Sequence, residues 1–239
     1  MGDRELPAAL GRLWRRPASP RLGRPAELDV DRVVRAAVEL ADTGGLDGVT
    51  LQKVAQSLGF TKMALYRHVG SKDELFELMA DHATGPAPDL PEEPDWRDGV
   101  RRWANAVRAR YAEHPWLVEV PLSGPPRGPN AISWVDALLR ALSGTGLDLG
   151  TQAGVLNVLS GHVRNAAVLA RQYARVDQAE VERDYGRALA ELVEPERFPH
   201  AAGLFTAAVF EAPPGNPADH DFTFGLELIL DGVAAAINR

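Results

Sequence analysis

The sequence predicts an all-α fold, because its apolar residues recur at the 3.6-residue spacing of helices and no stretch alternates convincingly as a strand would. Proline-rich stretches interrupt this pattern, and the first of them, residues 85–94, holds four prolines, which neither a helix nor a central strand tolerates. We therefore predict a flexible basic arm over residues 1–25, a helical domain over 26–84 and a second helical domain over 95–239.

The composition narrows the class of protein. The chain has 239 residues, 45% of them hydrophobic, with 26 basic and 33 acidic side chains and a formal charge of −7. These values predict a globular protein, and they exclude a disordered polyelectrolyte. The absence of cysteine excludes disulfides and thiolate metal sites, and no apolar run is long enough to span a membrane. We expect a soluble cytoplasmic protein.

Four short helices are predicted in the domain over residues 26–84. The first follows from apolar residues at helical spacing and ends at the glycine pair 44–45. Hydroxyl side chains that cap helices begin the other three. The capping residues are Thr50, Thr61 and Ser71, and glycines at positions 59 and 70 end the second and third helices. Ser71 and Glu74 match the capping-box pattern, and Leu75, Leu78, Met79 and His82 share one side of the fourth helix.

The second and third of these helices form a predicted helix-turn-helix. Only residues 59–61 join them, so the helices must turn sharply against each other. Ala55 is small where they would cross, and Val54, Leu58 and Leu65 are spaced to bury the inner faces. The residues left facing outward on the third helix are Thr61, Lys62, Ala64, Arg67 and His68. Such a face suits the major groove of DNA, because it offers donors, cations and slim side chains.

The charge pattern supports this interpretation. No acidic residue occurs from Thr50 to Lys72, although four basic residues do. Duplex DNA would repel a carboxylate on this surface. Residues 149–176 also lack acidic side chains, so the prediction depends on charge and helical pattern together.

Residues 46–75 closely resemble the DNA-binding segment of the Tet repressor (TetR) family, above all in the run Leu-Tyr-Arg-His-Val followed by Ser-Lys-Asp-Glu-Leu. The resemblance implies that Thr50 touches phosphate and that Tyr66, His68 and Lys72 hold backbone phosphates. It also implies that Thr61, Lys62, Met63, Ala64 and Arg67 approach base edges.

Four shorter segments resemble the tetracycline-repressor type of C-terminal domain: residues 96–103, 114–118, 198–200 and 222–232. In such a domain, two long helices of each subunit pack as a four-helix dimer interface. The candidates are the helices over about residues 151–175 and 221–237, whose apolar faces are wide enough for burial on two sides. Their apolar residues are Val155, Leu156, Leu159, Val163, Ala167 and Ala170 on one helix, and Phe222, Leu226, Ile229, Leu230, Val233 and Ile237 on the other.

The first 24 residues hold six arginines, among them Arg12, Arg15 and Arg16. Pro17, Pro20 and Pro25 make this arm poorly helical. Two interpretations stay open: the arm contacts the minor groove, or it is a solvated tail.

A ligand pocket in the second domain is expected to be apolar with a few polar anchors. The candidate residues are Trp103, Trp116, Trp134, His162, Asn165 and Tyr173. The competing interpretation places the tryptophans in the core and makes His162 a core histidine with its hydrogen bonds satisfied.

Together these patterns predict a homodimeric repressor that binds a palindromic operator in double-stranded DNA and is released by a small-molecule inducer. We expect no metal, cofactor or enzymatic activity, because the sequence carries neither the motifs of hydrolases and metalloproteases nor a glycine-rich phosphate loop. The alternatives are an activator of the same architecture, a helical ligand-binding module and a helical-bundle enzyme.

Overall fold

A computed structural model describes residues 7–16, 28–89, 95–121, 124–173, 178–206 and 217–238. Helices are the regular structure throughout these residues, as the sequence predicts. The chain divides into two compact units, residues 1–156 and 157–239. The helices of the first unit are α1 (Ala8–Leu13), α2 (Val30–Gly44), α3 (Leu51–Leu58), α4 (Lys62–Val69), α5 (Lys72–Thr84), α6 (Trp96–Glu113) and α7 (Pro129–Leu142). The α8 helix (Leu149–Tyr173) crosses the division, and α9 (Gln178–Leu192), α10 (Pro199–Thr206) and α11 (Pro217–Ile237) complete the second unit.

The predicted helix starts and ends in the first domain are confirmed. The hydroxyl of Thr50 accepts a hydrogen bond from the amide of Lys53, and the hydroxyl of Thr61 accepts one from the amide of Ala64. Gly45 ends α2 with a φ of 72°. These side chains and glycines satisfy backbone groups that have no partner inside their own helices.

The capping box at the start of α5 is only half formed. The hydroxyl of Ser71 accepts from the amide of Glu74 as predicted. The amide of Ser71, however, donates to the carbonyl of Val69, and the Glu74 carboxylate instead accepts two hydrogen bonds from Arg12. The sequence pattern missed this because Arg12 lies 62 residues earlier in the chain.

The expectation of a poorly helical arm is wrong for residues 8–13. Residues 8–13 form α1, and Leu13, only 2% exposed, belongs to the same apolar core as α2 to α5. Arg15 pairs with Asp31 at 2.6 Å, which ties the residues after α1 to α2. The prolines that suggested an extended chain lie after Arg16, outside the described residues.

The core of the predicted DNA-binding domain is closed by residues from beyond it. Val54, Ala55 and Leu65 are fully buried where α3 and α4 cross. Trp116 and Leu117, from the short 3-10 helix Pro115–Glu119, are buried in the same cluster. On α5, Leu75, Leu78 and Met79 are buried as predicted, but the predicted fourth member of that side, His82, is exposed.

Each of the two predicted interface helices, α8 and α11, has a single row of buried apolar side chains. Leu159 and Val163 on α8, and Phe222, Leu226, Leu230 and Val233 on α11, are buried. Val155, Leu156, Ala167, Ile229 and Ile237 are half-buried, and Ala170 is exposed. Three large apolar side chains outside these rows, Val158, Phe224 and Leu228, are more than half exposed.

Candidate nucleic-acid interface

The turn between α3 and α4 has the geometry that the helix-turn-helix pattern predicts. Gly59 adopts the left-handed conformation, with φ 76° and ψ 24°. The amide of Phe60 donates to the carbonyl of Ala55 at 2.9 Å, and the amide of Gly59 donates to that of Gln56 at 3.2 Å. This is the Schellman arrangement, which ends a helix where glycine supplies the positive φ. It orients α4 across α3 with its first residues clear of the core.

The α4 helix has one buried and one exposed side. Leu65 and Val69 are fully buried against the core. Lys62, Met63, Tyr66 and Arg67 are exposed, as are the capping residue Thr61 and, on neighbouring helices, Thr50 and Lys72. Ala64 and His68 are half-buried, at the edge of the exposed surface.

The outward face predicted from helical spacing did not include Met63 and Tyr66, although both side chains are exposed. Met63 is 70% exposed, so a large apolar side chain projects from the first turn of α4. The resemblance to the TetR family had included both residues.

Two lysines of this surface lie against aromatic rings. The Nζ atom of Lys62 lies 5.6 Å from the ring centre of Tyr66, one turn later on α4. The Nζ atom of Lys72 lies 4.9 Å from the ring centre of Phe76 on α5. Such contacts hold a cation in place at an exposed site while leaving its donors available to an anion.

The capping threonines retain one donor each. Both hydroxyl oxygens accept an amide hydrogen bond from their own helix, so the hydroxyl hydrogens point elsewhere. An outward hydroxyl hydrogen beside a helix N-terminus can donate to a phosphate oxygen, and the helix dipole favours the negative charge there. The surface formed by Thr50, Thr61 to Ala64, Tyr66 to His68 and Lys72 is hereafter called the recognition surface.

The predicted tryptophans of the ligand site are all buried and have hydrogen-bonded indole nitrogens. Trp103 donates to the carbonyl of Trp134 at 2.8 Å, and the two rings pack edge to face with centres 6.5 Å apart. Trp134 donates to the carbonyl of Gly85 at 2.9 Å, and Trp116 donates to the Asp42 carboxylate at 2.6 Å. This geometry favours the core interpretation of the three residues, and their ligand-binding role stays a prediction.

The other three candidates lie on α8, in the second unit. His162 donates from Nε2 to the carbonyl of Phe222 at 2.9 Å and stacks on the ring of Phe222. Asn165 is exposed. Tyr173 is the last residue of α8, and its side chain lies outside the described residues.

A cavity of about 240 Å³ lies between α9 and α10. Its lining includes Glu191, Glu194, Ala202 and Phe205, and none of the predicted ligand residues. Over the described parts of the chain, no group of three or more acidic or histidine side chains could hold a metal ion. Among the helices described, none is both long enough and apolar enough to cross a membrane.

Polar contacts tie the end of α5 to the start of α7. The Asp81 carboxylate accepts from the amide of Ala131 at 3.0 Å, and the side-chain amide of Asn130 donates to the carbonyl of Asp81 at 2.9 Å. Arg127 pairs with Glu77 at 2.7 Å. Burial raises the pKa of the Asp81 carboxyl, and the amides of Ala131 and Asn130 partly oppose that shift. The last turns of α5 are therefore coupled to α7 through directional hydrogen bonds.

The chain matches the family models of known regulators in both of its predicted domains. The model described as bacterial regulatory proteins of the tetR family matches residues 33–79. The model described as the tetracyclin repressor-like C-terminal domain matches residues 87–237. The second match alone covers more than half of the chain.

Individual proteins and solved structures agree with these matches. The HTH-type transcriptional repressor DrrR1 of Streptomyces coeruleorubidus is 33% identical, with 99% of this chain and 88% of DrrR1 covered. An HTH-type transcriptional regulator of Saccharopolyspora erythraea is 31% identical over 95% of this chain and 93% of its own. The crystal structure of the TetR family protein ActR of Streptomyces coelicolor in complex with actinorhodin superposes with a TM-score of 0.76 at 27% identity, over 88% of this chain and 97% of that one.

The helix-turn-helix geometry, the acid-free recognition surface and these matches lead to one conclusion. The chain belongs to the TetR family of DNA-binding transcriptional regulators.

Proposed function

We propose that the protein is a repressor that binds a palindromic operator as a homodimer and leaves it when a small molecule binds the C-terminal domain. The observation that carries this proposal is the recognition surface, because it is exposed, cationic and without an acidic residue from Thr50 to Lys72. A repressor role is supported by the relative DrrR1, which is named as one.

The residues of the recognition surface divide by their position. Lys62, Met63 and Arg67 project from α4 toward base edges, with Thr61 and Ala64 beside them. Thr50, Tyr66, His68 and Lys72 surround this group and hold phosphates of the two strands. Phosphate contacts fix the register of the protein on DNA, and contacts to base edges supply the sequence preference.

The homodimer is supported by the apolar surfaces of α8 and α11. Phe224 is 61% exposed, Leu228 58% and Val158 53%, and side chains of this size on long helices are typical of a surface that another chain covers. Two-fold symmetry also suits DNA, because one recognition helix reads only a few base pairs. Two such helices about 34 to 36 Å apart reach successive major grooves on one side of the duplex.

The inducer is a small molecule whose chemistry the chain leaves open. The solved ActR complexes contain actinorhodin or (S)-DNPA, which supports a ligand-responsive C-terminal domain in this chain. Trp103, Trp116, Trp134, His162, Asn165 and Tyr173 remain the proposed lining. Release from DNA requires only that the ligand prefers a conformation in which α5 holds α4 at a different angle, and DNA then weakens ligand binding by the same factor.

The alternative of an enzyme has no supporting observation. TetR-family regulators are generally not enzymes, and we propose that this chain is not one. An activator of the same architecture differs only in where its operator lies relative to a promoter.

The test begins by selecting bound duplexes from a random pool, since the selected sequence gives the half-site and its symmetry. On that duplex, we expect Lys62→Ala to weaken binding about tenfold or more at fixed salt, because the substitution removes a cation from the centre of the recognition surface. Arg140→Ala, which removes an exposed cation from α7, is the matched control and should bind as wild type does. Equal affinity of wild type and Lys62→Ala would contradict the assignment of α4 as the recognition helix.

A further inference from the structure

Helix α1 lies before the DNA-binding motif in the chain, since the matched family model begins only at residue 33. It nevertheless packs against both α4 and α5. Leu13 anchors it in the core, and the indole nitrogen of Trp14 donates to the carbonyl of Arg127 at 2.8 Å. The residues before the motif therefore form part of the body that carries the recognition helix.

Arg12 reaches from α1 to the first turn of α5. Its Nε and Nη2 atoms donate to the same carboxylate oxygen of Glu74, at 2.9 and 2.5 Å. Both side chains are about a quarter exposed, so solvent only partly screens the pair. Charge-assisted hydrogen bonds of this kind are shorter and stronger than neutral ones.

The pair lies on the turn that ends the recognition helix. Gly70 has φ 69° and ψ −65°, and the amide of Ser71 donates to the carbonyl of Val69 at 2.7 Å. These values define a γ-turn with a positive φ, a conformation that is strained for residues with a side chain but open to glycine. Because glycine can also adopt many other conformations, the contacts around Gly70 decide which one the turn keeps.

The space over Gly70 is occupied by the same ion pair. A Cβ atom placed on Gly70 would lie 2.7 Å from Nη2 of Arg12 and would overlap the Glu74 carboxylate. Arg12 and Glu74 thus cover the backbone at the one residue between Val69, the end of α4, and Ser71, the cap of α5. The angle between α4 and α5 depends on this turn.

We propose that Arg12 is a positioning residue for operator binding: it holds the γ-turn at Gly70 through Glu74 and so sets the orientation of α4, without contacting DNA itself. The proposal rests on α4 being the recognition helix. This role differs from that of an arginine in the minor groove, because Arg12 binds a carboxylate of its own chain instead of the DNA.

The experiment measures operator affinity across a range of salt concentrations for Arg12→Ala, Glu74→Ala and the double variant. We expect each single variant to bind about tenfold more weakly, because a hydrogen-bonded charge pair is broken. We expect the double variant to bind no more weakly than either single variant, because both substitutions act through one ion pair. The slope of log affinity against log salt should stay that of wild type.

Glu74→Ala separates the two roles by the sign of its effect. If Glu74 acted only as a negative charge near DNA, removing it would strengthen binding. If it positions α4, removing it weakens binding. Lys72→Ala is the control for direct phosphate binding, and it should lower the salt slope by about 0.9 for each phosphate that the lysine neutralises.

Thermal unfolding of each variant separates a folding defect from a positioning defect, because affinities are compared only where the variants are folded at the temperature of the assay. Should Arg12→Ala unfold there, Arg12→Lys, which retains the charge but not the paired donors, takes its place. A salt slope lowered in the Arg12 variant, stronger binding by Glu74→Ala, or additive effects in the double variant would each overturn the proposal. Failure of wild type to bind any selected duplex would instead overturn the proposed function.

Discussion

The helices of the first unit and those of the second differ in the kind of side chain that they leave exposed to solvent. Around α2 to α5 the core is closed, and the exposed side of α4 presents cations, hydroxyls and one methionine. On α8 and α11, large apolar side chains remain exposed beside the buried ones. The first surface is complementary to a charged polymer and the second to another apolar surface, so we expect charge to direct one contact and the hydrophobic effect to direct the other.

Polar contacts also orient the helices of the first unit. The first unit uses partly buried side-chain hydrogen bonds to join segments that are distant in sequence, as between Trp116 and Asp42 or between Asp81 and Ala131. Hydrogen bonds of this kind fix an orientation more tightly than apolar packing does. A unit that must present α4 at one angle benefits from them.

The largest effect is expected from changing the buried side of α4. Leu65→Ala should lower the free energy of unfolding by about 2 to 5 kcal/mol, because Leu65 is fully buried and its truncation leaves a cavity. Met63→Ala on the exposed side is the matched control and should change stability by less than about 0.5 kcal/mol while weakening operator binding. Urea unfolding and gel shifts measure the two effects. A large decrease of stability in the Met63 variant would contradict the division of α4 into a structural and a recognition side.

Phe224→Asp tests the exposed surface of α11. A carboxylate there would be buried without a partner in the dimer, so we expect the dimer dissociation constant to rise about 100-fold or more. Analytical ultracentrifugation should show wild type near twice 25.9 kDa and the variant shifted to monomer at micromolar concentration. Leu149→Asp places the same charge at an apolar residue that is 74% exposed at the start of α8, and this control should stay dimeric. A monomeric wild type would contradict the proposal that the protein binds DNA as a two-fold symmetric homodimer.

Gly128→Ala tests the junction of α5 and α7. Gly128 has an ordinary φ of −80°, so alanine causes no backbone strain, but its Cβ would overlap the Asp81 carboxylate. Displacing Asp81 removes its hydrogen bond to the first turn of α7, and we expect stability to fall by about 1 kcal/mol. Gly144→Ala, with open space around its Cβ, is the control and should be neutral or slightly stabilising. Equal melting temperatures for the two variants would show that the junction contributes nothing to stability.

The smallest effect concerns the protonation of Asp81. Its folded-state pKa is raised, so the folded chain holds this proton more tightly than the unfolded chain does. The associated stability is present below the unfolded-state pKa and is lost as the pH rises through the folded-state pKa. As the pH rises from the unfolded-state pKa through the higher folded-state pKa, wild type should therefore lose stability relative to Asp81→Asn, which cannot ionise. Denaturant unfolding at several pH values measures the difference, and a constant difference would argue that Asp81 titrates normally.

Local rules predicted the DNA-binding half of the molecule well. Thr50, Thr61 and the glycine at 59 act within one helical turn of their own positions, so their hydrogen bonds and dihedral angles follow from the sequence alone. The outward position of Met63 was less evident, because a methionine at helical spacing fits a core as well as a surface.

The surroundings of the tryptophans could not be predicted from the sequence, since they depend on side chains from several helices. The tryptophan pattern suggested a pocket, but Trp103 and Trp134 pack against each other, and Trp116 joins the core of the preceding domain. The sequence around these tryptophans does not indicate which helix each of them will pack against.

By itself, the sequence determined the all-α class, the helix ends, the helix-turn-helix and the charge of the recognition surface, because each of these arises from neighbouring residues. Only the tertiary structure decided that the Glu74 carboxylate would bind Arg12 instead of the amide of Ser71, and that this pair would cover the turn at Gly70. The physical reason is that a carboxylate chooses between a local amide and a distant guanidinium by free energy, and folding alone brings the stronger donor within reach.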